Sequence, residues 1–182
     1  MDPQTFTWVL ARVAGLTAFA GLAISLLSGA ALRTAVLDWL AGNRALRSVH
    51  EFTAVLWMPM GALHIAAIVL DHTARVSVAD VFIPFRGGYG DPRATLAYGL
   101  GTLTFELFAV VAVTGWLKRR MNQALWRWIH RLGYLAFALL FLHAVLGGSD
   151  FSDPVVSALT WATAFALATI SLARALWGRL PA

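Results

Sequence analysis

The sequence predicts an all-α integral membrane protein, a helical bundle of about five transmembrane helices. Two observations carry this. Of the 182 residues, 59% are hydrophobic and 13% charged, with a mean hydropathy of +0.71, a balance that the surface of a soluble domain of this size rarely carries. The apolar residues also fall into five runs of about 20 residues, the length needed to cross a hydrocarbon core as a helix.

The first run extends from Trp8 to Ala30. The preceding Met-Asp-Pro-Gln lacks the basic flank of a cleavable signal, so the run is expected to remain as the first membrane helix. The others are His50 to Leu70, Thr95 to Leu117, Trp128 to Leu146 and Val155 to Ala175. Between the second and third lies the longest connection, Asp71 to Arg93. Its stretch from Ile83 to Pro92 is rich in turn residues and reads as an ordered cap or a short re-entrant loop. No internal repeat, low-complexity tract or soluble domain interrupts the chain, which is expected to form one domain over residues 1–182.

A pI near 10.7 and a net charge of +5 do not point to nucleic acid, because the basic residues sit in short runs beside apolar segments. They read as topology signals. Arg33, Arg44 and Arg47, then Lys118, Arg119, Arg120 and Arg127, then Arg174 and Arg179 fall on one side of the predicted bundle. On the other side Arg75, Arg86 and Arg93 are diluted by Asp71, Asp80 and Asp91, and the next turn carries Asp150 and Asp153. Positive residues stay cytoplasmic, which predicts a multi-pass protein of the cell inner (plasma) membrane with the N-terminus outside and the C-terminus inside. Trp8, Trp116, Trp126, Trp128 and Trp177 fall near helix ends, where indole favours the lipid interface. Cysteine is absent, which excludes disulfides, iron–sulfur ligation, zinc-thiolate sites and thiol catalysis.

Four of the five histidines lie in two membrane helices as pairs, His50 with His64 and His130 with His143. An imidazole inside a bilayer is costly unless it has a partner. Separations of 14 and 13 residues amount to about 21 and 19.5 Å along a helix, enough to carry each pair from one side of the core toward the other. Two layers follow, with His50 and His130 near the cytoplasmic face and His64 and His143 near the outer one. Neutral imidazoles from facing helices suit the two axial positions of a haem iron, so the pattern points to two b-type haems in series. Gly61, Ala62, Gly133, Ala136 and Gly147 would let a flat macrocycle approach, or simply serve helix packing. Helical phase is uneven. At about 100° per residue, 14 residues return to within roughly 40° of the starting face, whereas 13 end roughly 140° away. The fourth helix must then tilt, distort or present its histidines on different faces. A buried hydrogen-bonding network of histidines is the bland alternative.

The spacings His50-x13-His64 and, two helices later, His130-x12-His143 resemble the ferric reductase-like transmembrane domain. That family includes the membrane part of NADPH oxidases and the haem-binding membrane subunit of the bacterial periplasmic methionine sulfoxide reductase system. Local context adds to the resemblance: Val49-His50-Glu51-Phe52, Ala62-Leu63-His64, Val78-Ala79-Asp80-Val81-Phe82-Ile83-Pro84-Phe85, Trp126-Arg127-Trp128-Ile129-His130-Arg131 and Leu142-His143-Ala144-Val145-Leu146-Gly147-Gly148-Ser149-Asp150. It covers about Val13 to Ser171. The resemblance implies that the four histidines are bis-histidine ligands of two haems b, with electrons entering at the cytoplasmic layer and leaving from the outer one. Larger members append a flavin and nicotinamide domain, which does not follow the fifth helix here. The expected donor is therefore a separate flavoprotein, a quinol or another redox subunit.

Other residues are candidates around these layers. Haem propionates need cationic or hydrogen-bonding partners, for which Arg47, Arg127 and Arg131 are placed on the inner side and Arg12, Arg75, Arg86 or Arg93 on the outer. Arg131 adjoins His130, and Arg12 interrupts the first helix. Each also reads as a topology or snorkelling residue. Trp57, midway between His50 and His64, is placed between the two haems or in the core. Glu106, near the middle of the third helix, is expected protonated or hydrogen-bonded. His72 reads as a solvated loop residue or a contact to the outer layer. The sequence thus points to a dihaem cytochrome b in contact with membrane lipid, passing electrons to an external acceptor or partner protein. A subunit anchoring a larger redox or photosynthetic complex is the alternative, and a histidine proton-relay transporter or channel is a third.

Overall fold

The computed structural model describes residues 2–32, 42–87 and 89–177. Arg33 and Arg179 lie outside the described residues, as do the side chains of Arg174 and Trp177. Five long helices account for nearly all of the rest: α1 (Pro3–Ala31), α2 (Asn43–Leu70), α3 (Pro92–Leu117), α4 (Gln123–Gly147) and α5 (Pro154–Trp177). No strand occurs among the described residues. Every helix contains a window long and apolar enough to cross a membrane. The chain is a multi-pass, all-α membrane protein.

The helices begin up to seven residues before the apolar runs. At α1, α3 and α4 polar caps satisfy orphan N–H groups ahead of the apolar runs. Asp2 accepts from the Thr5 N–H (2.9 Å) and hydroxyl (2.6 Å) ahead of Pro3. Asp91 accepts from the Arg93 N–H at 2.9 Å ahead of Pro92. Asn122 accepts from Ala124 and Leu125 at 2.8 and 3.2 Å. A proline in the first turn loses no intrahelical bond. Pro59 does lie inside α2, where its ring removes one such bond.

The helices form two compact units, one of Met1–Ile68 with Pro154–Ala182 and one of Val69–Asp153. In the first, α1 runs antiparallel to α2, because Ala11 meets His64 while Ser25 meets His50. Small residues make the approach close: Ala11, Ala14, Ala23, Ser25, Ser28 and Ala30 are all buried on α1. Lacking an apolar driving force between helices, membrane bundles rely on such packing. Helix α5 also packs against α1.

In the second unit α3 and α4 run antiparallel, with Ala97 meeting His143 and Arg93 meeting Leu146. Arg93 donates to the carbonyls of Leu146 (3.0 Å) and Val145 (3.4 Å), which caps the C-terminal end of α4. The connection from Asp71 to Asp91 is ordered by its own side chains. Ser77 and Asp80 form a reciprocal capping box around a 3₁₀ turn at Val78–Val81. The Thr102 hydroxyl then donates to the Asp80 carbonyl at 2.8 Å, and the Phe82 and Phe105 rings meet edge-on at 6.2 Å. Thr102 lies about 15 Å along α3 from its first residue, so this segment runs back beside the helix. Phe85 adopts a left-handed backbone (φ 61°), and its ring fills the space that a Cβ on Gly99 would occupy. Trp116, Trp128 and Phe165 are exposed on the helices, and lipid is the medium that accepts such faces.

Candidate functional site

The sequence draws attention to four histidines, and their local settings are sharply defined. On α2, His50 Nδ1 lies 2.7 Å from the Ser25 carbonyl and His64 Nδ1 lies 2.8 Å from the Ala11 carbonyl, both on α1. On α4, His143 Nδ1 lies 2.8 Å from the Ala97 carbonyl of α3. A carbonyl oxygen carries no proton. Each of these three Nδ1 atoms is therefore the donor, and in the neutral ring the lone pair is left on Nε2. The Ser25 hydroxyl lies 3.2 Å from His50 Nδ1 as well. His130 is placed differently, with its ring stacked on Trp126 one turn earlier in α4 at 5.1 Å and 23°.

All four histidines are only partly buried. In a membrane span an imidazole needs polar partners, and for three of the four rings a backbone carbonyl is one of them. Among the described residues no three His, Asp or Glu side chains converge on a point that could hold a metal ion. A bare ion needing three or four protein ligands is thus poorly served, whereas an iron porphyrin, with four ligands already supplied by its ring, needs only two imidazoles. Imidazole nitrogen is a donor type that such a group takes.

Three glycines that sequence reasoning passed over lie against the anchored rings. A Cβ at Gly15 would lie 2.7 Å from His64 Nδ1, one at Gly29 would lie 3.0 Å from His50 Nδ1, and one at Gly101 would lie 2.7 Å from His143 Nδ1. The small residues that the sequence places near a macrocycle, or in helix packing, have the following surroundings. Gly61 faces the Trp57 ring, Gly147 faces Ala97, and Gly133 and Ala136 are buried. The missed signal was the equal 14-residue spacing of Gly15 and Gly29 on the helix preceding His50 and His64.

The remaining candidates separate by what they touch. Arg12 adjoins the His64 anchor in sequence, and its guanidinium lies 4.2 Å from the Trp8 ring centre. Arg131 lies 5.4 Å from the Trp128 ring and is exposed, and Arg47 is exposed near the start of α2. For Arg12 and Arg131 these are settings in which a cation reaches an interfacial aromatic. Trp57 packs against Gly21, which lies between the two anchors of α1 in sequence. Arg86 pairs with Asp80 at 3.6 Å. Hydrogen bonds from Ser77 hold the Asp80 carboxyl below the usual carboxylate range, with Arg86 assisting. His72 is exposed. Glu106 is half-buried, and among the described residues it has no hydrogen bond or ion pair, so the expected bonding partner is not supplied there. Compared with protein-family models, with curated proteins and with solved structures, the chain matches none of them.

Proposed function

We propose that the chain is a dihaem b-type membrane cytochrome that carries electrons across the bilayer to an external acceptor or partner protein. The reading rests on one observation above all: three membrane imidazoles donate Nδ1–H to backbone carbonyls and so keep Nε2 as the lone-pair atom. Histidines that ligate metals characteristically donate their other N–H in this way, which fixes the tautomer, orients the ring and raises the basicity of the ligating nitrogen. His50 and His130 are assigned to the inner layer and His64 and His143 to the outer. That pairing rests on their positions in sequence and on the resemblance to ferric reductase-like membrane domains.

Haem, when bound, supplies reversible one-electron chemistry. The chain's residues do the rest. The histidines would supply imidazole nitrogens to its iron, and the apolar helices exclude water and keep the surroundings at low dielectric. Arg47 and Arg131 on the inner side and Arg12 on the outer are assigned to the anionic carboxylates of the cofactor, with Trp57 between the layers. By the positive-inside rule the N-terminus lies outside and the C-terminus in the cytoplasm of a plasma membrane. The donor is assigned as a flavoprotein, a quinol or a redox subunit on the cytoplasmic or membrane side.

The deciding measurement is haem stoichiometry of the purified protein together with its dithionite-reduced minus oxidised spectrum. Two haems per chain and a reducible b-type band are expected. His64→Ala or His143→Ala should each remove about one equivalent and leave part of the signal. Absence of a b-type band, or undiminished haem in both variants, would overturn the proposal.

A further inference from the structure

The three anchored histidines share a local rule. The accepting carbonyl belongs to residue i and the contacting glycine is residue i+4: Ala11 with Gly15, Ser25 with Gly29, Ala97 with Gly101. In an α-helix the carbonyl of residue i points along the axis toward the N–H of residue i+4. A side chain at i+4 therefore stands beside that oxygen and blocks lateral approach. Glycine at i+4 uncovers the oxygen's second lone pair, and an imidazole from the neighbouring helix can reach it without breaking the helical bond.

We infer that Gly15, Gly29 and Gly101 are positioning residues: each opens one backbone carbonyl so that a histidine is locked as the Nδ1–H tautomer, with Nε2 left as the nitrogen that would ligate the iron of a porphyrin. This rests on the haem reading above for what Nε2 binds, but not for the lock itself. Two features argue against ordinary helix packing as the whole explanation. A Cβ at each glycine would meet the hydrogen-bonded ring atom Nδ1 and its neighbour Cε1 in all three cases. Other glycines of the same helices do not: Gly21 of α1 comes no closer than 3.5 Å to its neighbour Trp57, and Gly115 of α3 has nothing within 4 Å.

Clearance ranks the three positions. A methyl at Gly101 would lie 2.7 and 2.8 Å from Nδ1 and Cε1 of His143, and one at Gly15 2.7 and 2.9 Å from those atoms of His64. At Gly29 both distances are 3.0 Å, and the nearby Ser25 hydroxyl offers His50 Nδ1 a second polar partner. Gly101→Ala and Gly15→Ala should thus displace their histidines, and Gly29→Ala should do so least.

The test uses the full chain in detergent or nanodiscs, with histidine labelled at both ring nitrogens. In haem-depleted protein, nitrogen NMR should show protonated Nδ1 for His64 and His143. Gly101→Ala should abolish that signature for His143 alone and Gly15→Ala for His64 alone, with Gly21→Ala and Gly115→Ala unchanged. In haem-loaded protein the same two variants should weaken haem retention by about tenfold or more, the usual cost of losing an outer partner of a ligating histidine. Haem retained by Gly29→Ala should titrate at a higher potential than wild type, because a less basic imidazole stabilises the ferric state less. A tenfold change in that preference corresponds to about 59 mV for one electron. Unchanged tautomers in Gly101→Ala and Gly15→Ala would overturn the inference whatever the haem content, as would equal effects from Gly21→Ala and Gly115→Ala. If the tautomers shift but the wild type takes up no haem, the haem reading falls and the carbonyl lock stands.

Discussion

The two histidine-bearing helices are built on different arithmetic. On α2, His50 and His64 are 14 residues apart, and so are their acceptors Ser25 and Ala11 on the antiparallel α1. Fourteen residues come within roughly 40° of four whole turns, so one neighbouring helix holds both rings in the same manner. On α4 the interval is 13, and the two rings are handled differently. His143 reaches the Ala97 carbonyl. The matching position 13 residues along α3 is the Val110 carbonyl with residue 114 at i+4, and that residue is threonine. Its hydroxyl donates to Val110 at 2.7 Å. His130 instead stacks on Trp126 of its own helix. The lesson is that one residue of spacing decides whether two membrane histidines share a mode of anchorage.

The largest effect should come from forcing the second pair onto the first pair's spacing. Exchanging Ile129 and His130, by Ile129→His with His130→Ile, restores a 14-residue interval but rotates the imidazole by about 100°. Loss of about one haem per chain is expected from pyridine haemochrome analysis. Full occupancy in this double variant would mean that the phase difference between α2 and α4 has no consequence for the site.

A smaller effect is expected at the stack itself. An aromatic pair of this kind contributes about 0.5–1.5 kcal/mol, so Trp126→Leu should loosen His130 without removing it. The expected result is a modestly lower melting temperature and a shifted potential for one haem only. A shift shared equally by both haems would show that Trp126 acts on the whole bundle and not on His130.

The fold was largely legible because hydropathy and length are properties of the chain alone: five runs of sufficient length became five helices. Their starts were less legible, since Asp2, Asp91 and Asn122 cap helices outside the apolar runs and leave no mark on hydropathy. The histidines stood out because an intramembrane imidazole is expensive. Their anchors did not, for a physical reason. Backbone carbonyls have no sequence signature, and a glycine that uncovers one looks like any other small residue in a membrane helix. Only the register of α1 against α2, which tertiary contact sets, pairs Gly15 with His64 and Gly29 with His50. The ordered turns of the loop were foreshadowed by its turn residues, but not the bond from Thr102 that fastens it to α3.

That loop contrasts with the helices in what holds it. Here polar side chains do the ordering that apolar burial does elsewhere, and the Thr102 hydroxyl is one of few ties to α3. Thr102→Val keeps the shape and removes the donor to the Asp80 carbonyl, which should cost about 1 kcal/mol and raise hydrogen exchange across Ser77 to Phe82 while leaving the α3 and α4 cores protected.

The smallest expected effect is the pH response of the same loop. Asp71 and Asp80 both have carboxyls held below the ordinary value of 3.8, chiefly by side-chain hydrogen bonds from Thr73 and Ser77. A carboxylate depressed in the folded state contributes stability that is fully present above its unfolded value and is lost as pH falls through the folded one. Protease sensitivity of the Asp71 to Arg93 connection should therefore stay flat from neutral pH to about 5 and rise below about 4, where the carboxylates of unfolded chains take up protons. Asp80→Asn should give at neutral pH much of the sensitivity that wild type shows only in acid, since the amide cannot accept charge-assisted bonds from both the Ser77 N–H and hydroxyl or pair with Arg86. If acid opens the helices as readily as the loop, the division of labour between polar ties and apolar packing is wrong.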